Sequence, residues 1–268
     1  MKRTSIIITS IFATLLLNAQ EKQDSILHGG KVVYEETNKL ESKVSGGIEV
    51  KGTVMVSSES GSAAPPSRNN IPSKITFQKI LMFNDAFAIY KKSKSENQEE
   101  RVETSGGMNL IIRRNTPENI FFTDIKEKKV TESREFMTRK FLIESEFQNS
   151  NWKITGNQKS ILNYHCIEAE RTDSTGNKVK VWFTPEIQLP LGPGSYNNLQ
   201  GLVLAVDEND GQKTITAISI EPSRVDASQL TKPKEGKKVT NEEFTKIMAD
   251  KMKEMKGENG GATFILRK

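Results

Sequence analysis

Apolar and polar residues alternate with period two through most of the interior of the chain. "KVVYEETNKL" from Lys31, "SKITFQKILMF" from Ser73, "DAFAIYKK" from Asp85, "NIFFTDIKEKKV" from Asn119 and "EFMTRKFLIESEF" from Glu135 each mix β-branched or aromatic residues with charged ones at strand length. That pattern predicts consecutive antiparallel strands. Further on, "NYHCIEAERT" and "KVKVWFTPEI" flank "DSTGN", and "GLVLAVDE" and "KTITAISIEP" flank "NDG". Asp, Asn and Gly supply the left-handed backbone that tight turns need, so both pairs are predicted hairpins.

The period changes near the C-terminus. In "TNEEFTKIMADKMKEMKG", Thr240 can cap a helix, Glu243 can complete a capping box, and Gly257 is placed to end it. Phe244, Ile247, Met248, Met252 and Met255 share one stripe, which predicts an amphipathic helix over 241–256. Packing of this stripe on its own sheet is favoured over docking a partner, although Met side chains suit adaptable surfaces. Two polar stretches, near 57–71 ("SSESGSAAPPSRNN") and near 92–106 (around "KSKSENQEE"), cannot bury enough apolar surface to offset ordering and read as mobile loops.

The N-terminus adds a destination. Lys2 and Arg3 precede an apolar run from Ile6 to Leu17, followed by Asn18, Ala19 and Gln20. A basic end, a short apolar segment and a small residue are the order of a secretory signal peptide over 1–19, leaving 20–268 as a single β-rich domain. The mature chain is expected to carry no transmembrane span and to work in the periplasm, at the outer membrane or outside the cell. Cys166 is the only cysteine, so neither a disulfide within the chain nor a lipid-bearing cysteine at the mature N-terminus is available. The formal charge of +5 drops to about +3 without Lys2 and Arg3, and the remaining charges are mixed in sign, so nucleic-acid binding is not implied.

Candidate chemistry is sparse. His28 and His165 are the only histidines, no HExxH or paired CxxC occurs, and neither histidine has a zinc-ligand spacing around it. Ser195 in "GPGSYNN" fails as a nucleophile elbow because Asn197 stands where GxSxG requires its second glycine. Gly192, Gly194 and Gly201 do not form a phosphate loop, and "DENDG" reads as a turn rather than a calcium loop. No catalytic, cofactor-binding or metal-ligating residue is therefore assigned, and no cofactor is expected. Carboxylates are plentiful, and a glycosidase needs only two facing each other, a pairing that sequence does not show. The aromatics Trp152 and Trp182 could stack on sugars or line an apolar groove, but at this density core packing is the favoured reading.

The segment from about Phe136 to Val206 carries a resemblance. "RKFLIESEFQNSNWKITGNQKSILNYHCIEAE", then "VWFTPEIQLPLGPGSYNNLQGLVLAVD", resembles the GLPGLI family of exported proteins common in Bacteroidetes. The residues that carry it are Trp152, Tyr164, Cys166, Trp182, Phe183, Pro185, Gly192, Pro193, Leu199, Gly201 and Leu202, read as structural. In the signature hexapeptide, Asn198, Gln200 and Val203 replace the family's first glycine, proline and isoleucine. The resemblance implies a cell-envelope protein with a β-sheet bowl or half-barrel, of a kind found attached to secreted hydrolases. The tripeptides starting at Asp24 and Asp173 are similar to an O-glycosylation acceptor pattern of the same phylum.

These readings converge on a mainly β fold, a curved antiparallel sheet or half-barrel with a C-terminal amphipathic helix. The leading functional expectation is a non-enzymatic exported module that binds a lipid, glycan or peptide. The alternatives are an accessory partner of outer-membrane machinery and a glycan or peptide hydrolase, or an accessory to one. Pro190 to Asp207 is expected to be a corner of the sheet, with Gly201 allowing a close backbone pass.

Overall fold

The computed structural model describes residues 28–39, 72–93, 100–104, 109–112, 119–147, 151–172 and 176–258. The expected signal peptide at 1–19 and the expected loop at 57–71 lie outside these residues. In chain order the strands are β1 (Gly29–Lys39), β2 (Pro72–Asn84), β3 (Phe87–Lys92), β4 (Glu100–Thr104), β5 (Asn109–Ile112), β6 (Ile120–Asp124), β7 (Lys129–Phe136), β8 (Arg139–Glu146), β9 (Lys153–Ile161), β10 (Tyr164–Thr172), β11 (Lys178–Thr184), β12 (Leu202–Glu208), β13 (Lys213–Pro222) and β14 (Lys237–Val239). A helix, α1 (Asn241–Glu258), follows.

Twelve strands form one path, β14-β8-β7-β6-β3-β2-β1-β13-β12-β11-β10-β9, while β4 pairs with β2 and β5 with β4. The end strands β14 and β9 are not paired with each other, so the sheet is not closed into a barrel. Every pairing is antiparallel except β14 with β8, which makes the sheet mixed. The mainly β architecture with a C-terminal helix agrees with the pattern of the sequence.

Both expected hairpins form. Gly176 (φ +85°) turns between β10 and β11, and Asn209, Asp210 and Gly211, all left-handed, turn between β12 and β13. Two long runs that read as single strands are broken. Residues 119–130 divide into β6 and β7 at a turn containing left-handed Lys128, and residues 135–147 divide into β7 and β8 at Met137 and Thr138, both at positive φ. Met-Thr lacks the Asn-Gly chemistry of such turns, so the break is imposed by the pairing of eight residue pairs in the flanking strands. Part of the segment expected as a loop near 92–106 is strand β4, which pairs with both β2 and β5. Pairing on both edges, not apolar content, holds that polar strand.

One face of the sheet is apolar across nearly its whole width. Val32 and Tyr34 on β1, Leu81 and Phe83 on β2, Ala88 and Tyr90 on β3, Val130 on β7, and Ala169, Val181, Phe183, Val206 and Ile215 on β10 to β13 join in one buried cluster. Strands distant in the path therefore meet, and the sheet curls around this face. The segment 185–201 fills the hollow with Ile187, Leu191, Tyr196 and Leu199. It is fastened by Val203 N–H to the Leu191 carbonyl (2.9 Å) and Leu202 N–H to the Ile187 carbonyl (3.0 Å), while the Tyr34 hydroxyl of β1 donates to the Val203 carbonyl of β12 (2.7 Å). With that plug in place Leu202 through Val206 are buried on both faces of β12, rather than on one.

The helix is capped as its sequence specifies. Glu243 N–H donates to Thr240 Oγ1 (3.1 Å) and Thr240 N–H to Glu243 Oε2 (2.9 Å). The helix runs past Gly257 to Glu258. Phe244 is 1% exposed and packs edge-on against Phe141 (5.2 Å) and Phe136 (6.3 Å), with Ile247 and Met248 against the same cluster. The apolar stripe is thus used, at its N-terminal half, to cover the end of its own sheet.

Candidate functional site

Period two places Val32, Tyr34 and Glu36 of β1 on the apolar face, so a carboxylate occupies a core position. Around Glu36 lies a compact ionic cluster. Lys79 Nζ on β2 is 2.9 Å from Glu36 Oε2. Lys213 Nζ, at the start of β13, is 2.9 Å from Glu208 Oε1 and 3.8 Å from Glu36 Oε1. Lys213 and Glu208 face each other in register across the β12–β13 hairpin, so the "DENDG" turn sets this pair. Its own oxygens serve the turn: Asp207 Oδ1 accepts the Gly211 N–H at 2.6 Å and Asp210 pairs with Lys180 at 3.1 Å.

Aromatic hydroxyls complete the cluster. Tyr196, brought in by the 185–201 plug, donates to Glu208 Oε1. Tyr90 on β3 is buried edge-on to Tyr34 (5.9 Å), and its hydroxyl has no hydrogen-bond partner. Lys79 Nζ lies 5.3 Å from the centroids of both Phe77 and Tyr90. On β7, Glu132 is buried and accepts a 2.7 Å hydrogen bond from Arg134 Nε. At the far side the Arg171 guanidinium stacks 4.6 Å from the ring of Trp152, whose indole Nε1 is buried and unpartnered.

The electrostatics follow from burial and neighbours. Burial raises the Tyr90 hydroxyl well above its ordinary range, and the nearby Glu36, Tyr34 and Tyr196 raise it further, so it stays protonated and can donate. Burial raises Tyr196 and also Glu132, the latter against the opposing pull of Arg134. Burial opposes charge on Lys213, but Tyr196, Glu36 and Glu208 outweigh it and hold the ammonium charged.

Two carboxylates therefore converge, as a glycosidase would need, but they do so on an ammonium. Retaining and inverting glycosidases leave roughly 5–9.5 Å between carboxyl groups for sugar or water. Here Lys213 bridges Glu36 and Glu208, and Glu132 is held by Arg134. The arrangement offers fixed donors and acceptors in place of a free acid and a free base. A separate cleft of about 500 Å3, lined by Arg139, Lys140, Phe141, Gly236, Lys237 and Ile247, lies beside β14 and α1 and holds no carboxylate.

Of the residues singled out in the sequence, Trp152 alone borders this cluster. Phe183, Leu199 and Leu202 are core, and Pro193 is buried in the plug. Half-buried Tyr164 opens β10, and Pro185, exposed, follows the end of β11. Cys166 is fully buried, and burial pushes its thiol up to about 11. Trp182 lies on the opposite face of β11 from Phe183, with Lys159 Nζ 3.4 Å from its ring centroid. Gly192 and Gly201 are sites of close approach: a Cβ there would stand 2.1 Å from the Tyr196 and Thr184 carbonyl oxygens respectively. Asn198 is left-handed (φ +66°), a conformation that Asn tolerates better than most residues. His28 Nδ1 lies 3.1 Å from Asp85 Oδ1 in an exposed pair, and His165 meets Glu186 through its backbone N–H. Among the described residues no group of three His, Cys, Asp or Glu side chains is placed to hold a metal, and no helix is long and apolar enough to cross a membrane. Glu36, Lys79, Tyr90, Glu132, Glu208 and Lys213 escaped the sequence reading; the available signal was a charge at a core position of an alternating strand.

Residues 77–246 match the family model described as N-glycanase peptide, N-terminal domain, of PNGase F-II. Two solved structures of PNGF-II, in P21 and C2 space groups, share the fold with TM-scores of 0.51 and 0.50 at 14% identity. Each covers 84% of this chain, which in turn spans about a third of theirs, 34% and 33%. None of the curated proteins matches in sequence. The family match encloses the whole Phe136–Val206 segment and overturns its resemblance to the GLPGLI family. The residues behind that resemblance are strand and corner positions fixed by local packing, Gly192 and Gly201 above all, and they report a backbone geometry rather than a lineage.

Proposed function

We propose that this chain, which belongs to the family of N-glycanase peptide N-terminal domains, is a non-catalytic glycan-handling module that serves a glycan-releasing hydrolase. The expectation of a general lipid, glycan or peptide binder narrows to glycan, and the hydrolase-accessory alternative becomes the leading one. The observation that carries the non-catalytic reading is the tying of Glu36 and Glu208 to the shared Lys213 ammonium and of Glu132 to Arg134. Each carboxylate is tied to a cation, and two of them share one, in place of the facing free acid and base that a glycosidic bond requires.

The order of basic, apolar and small residues over 1–19 supports an exported chain acting in the periplasm or beyond, with 20–268 forming one module. N-terminal sequencing of the secreted form checks this, with a start near Gln20 expected. The module reading is tested by incubating the purified chain with an immobilised N-glycoprotein and with the same protein after enzymatic deglycosylation. Retention on the first only, with mass spectrometry showing the glycan intact, is the expected result. Release of glycan by the chain alone would refute the non-catalytic assignment.

A further inference from the structure

Tyr90 carries one of the buried polar atoms for which the described residues supply no hydrogen-bond partner. Its side chain is 2% exposed, its ring is held by Tyr34 at 5.9 Å and Phe121 at 6.3 Å, and its hydroxyl has no partner. A buried hydroxyl without a partner lowers stability, and phenylalanine would keep both ring contacts without that cost. Its ring belongs to the main apolar cluster, but Lys79 lies over that ring and Glu36 acts on the hydroxyl, so the unmet donor stands where the core meets charged residues and points to a partner that arrives from outside.

The surroundings define the chemistry of that partner. Lys79 and Lys213 are less deeply buried, with side chains 17% and 28% exposed, than Glu36 beneath them. Both ammonium groups already pair with carboxylates, so an anion would have to compete with Glu36 and Glu208 and would be repelled by them. A neutral polyhydroxyl ligand meets no such penalty. Sugar hydroxyls both donate and accept, and the cluster offers ammonium donors, carboxylate acceptors and the phenolic donor within one patch. Lys79 Nζ lies over the rings of both Phe77 and Tyr90, and its flexible stem lets it move aside, leaving Glu36 paired with Lys213, and yield them to the apolar face of a sugar ring.

We propose that the mouth of the concave face between Lys79 and Lys213 is a saccharide-binding site, in which Lys79 is a displaceable cover and the Tyr90 hydroxyl donates to a sugar ring or N-acetyl oxygen. This rests on the reading of the chain as a glycan-handling module. Calorimetric titration of the whole chain and its Tyr90→Phe variant with N,N′-diacetylchitobiose and with an intact N-glycopeptide tests it, alongside thermal melting without ligand.

The expected result is a variant that melts no lower than the parent and binds both probes about tenfold more weakly, the loss of one neutral hydrogen bond. Unchanged binding by the variant would overturn the site and leave the module reading standing. A lowered melting temperature without ligand would show the hydroxyl to be structurally engaged and would also overturn the site. Failure of the parent chain to bind either probe would overturn site and module together. Trp182→Ala, on the opposite face, serves as a second variant: loss of binding there, with Tyr90→Phe unaffected, would move the site to the outer surface.

Discussion

Substituting Gly201 by alanine adds one methyl group at the corner where the 185–201 plug enters β12. Its Cβ would stand 2.1 Å from the Thr184 carbonyl oxygen, 2.6 Å from the Thr184 carbonyl carbon and 3.0 Å from Pro185 N. Ordinary contact begins near 3.4 Å, so the two backbones must separate by more than an ångström. Neither is free to do so: Thr184 and Leu202 are both fully buried and are partners in the β11–β12 ladder. Overpacking in a well-packed core costs about 1–3 kcal/mol, and a clash with backbone rather than with a flexible side chain belongs at the upper end. A loss of about 3 kcal/mol corresponds to a fall of roughly 6–12 °C in Tm for a chain of this size. Urea denaturation followed by tryptophan fluorescence measures it. Gly156→Ala is the control, because that left-handed glycine (φ +86°) has nothing within 4 Å and should lose only about 1–2 kcal/mol from backbone strain. Equal stability of Gly201→Ala and the parent, within about 0.5 kcal/mol, would refute the close-approach argument.

Three further outcomes follow from the geometry. Burial raises the Glu132 carboxyl above its ordinary range, so the folded state holds that proton more firmly than the unfolded one; its contribution to stability is present below the unfolded pKa and is lost as pH rises through the folded pKa. Glu132→Gln should therefore gain on the parent as urea midpoints are compared from pH 4 to pH 7, and a pH-independent difference would contradict the raised carboxyl. Phe244→Ala removes the ring that packs on Phe141 and Phe136 and should cost about 3–5 kcal/mol of local stability, with circular dichroism losing helix signal before sheet signal; simultaneous loss of both would show α1 to be part of the main core. Cys166, with its thiol pushed up to about 11, should resist a disulfide reagent at pH 8 until the chain is unfolded.

The strands, both hairpins and the capped helix were legible because each has a local cause. Alternation in β1, "NDG" between β12 and β13, and the reciprocal Thr240–Glu243 bonds act within a few residues. The Met137–Thr138 turn was not legible, since its left-handed residues carry no turn chemistry and are set by the strands they join. β4 was missed for a similar reason: its pairing partners, and not its own residues, make it a strand. The ionic cluster draws Glu36, Lys79, Tyr90, Glu208 and Lys213 from five strands, so only the curl of the sheet reveals it. Tyr196 shows how much the plug matters. It reads as a turn residue in "GPGSYNN", yet its hydroxyl reaches Glu208 and helps lock a carboxylate that a hydrolase would have needed free.

The concave face is expected to recognise sugar and to leave it intact. Calorimetric titration of the full chain with an N-glycopeptide, and with the identical peptide lacking its glycan, tests that claim most directly. Saturable binding of the glycopeptide alone, with the glycan recovered unchanged, is the predicted result, and equal affinity for both peptides would contradict it.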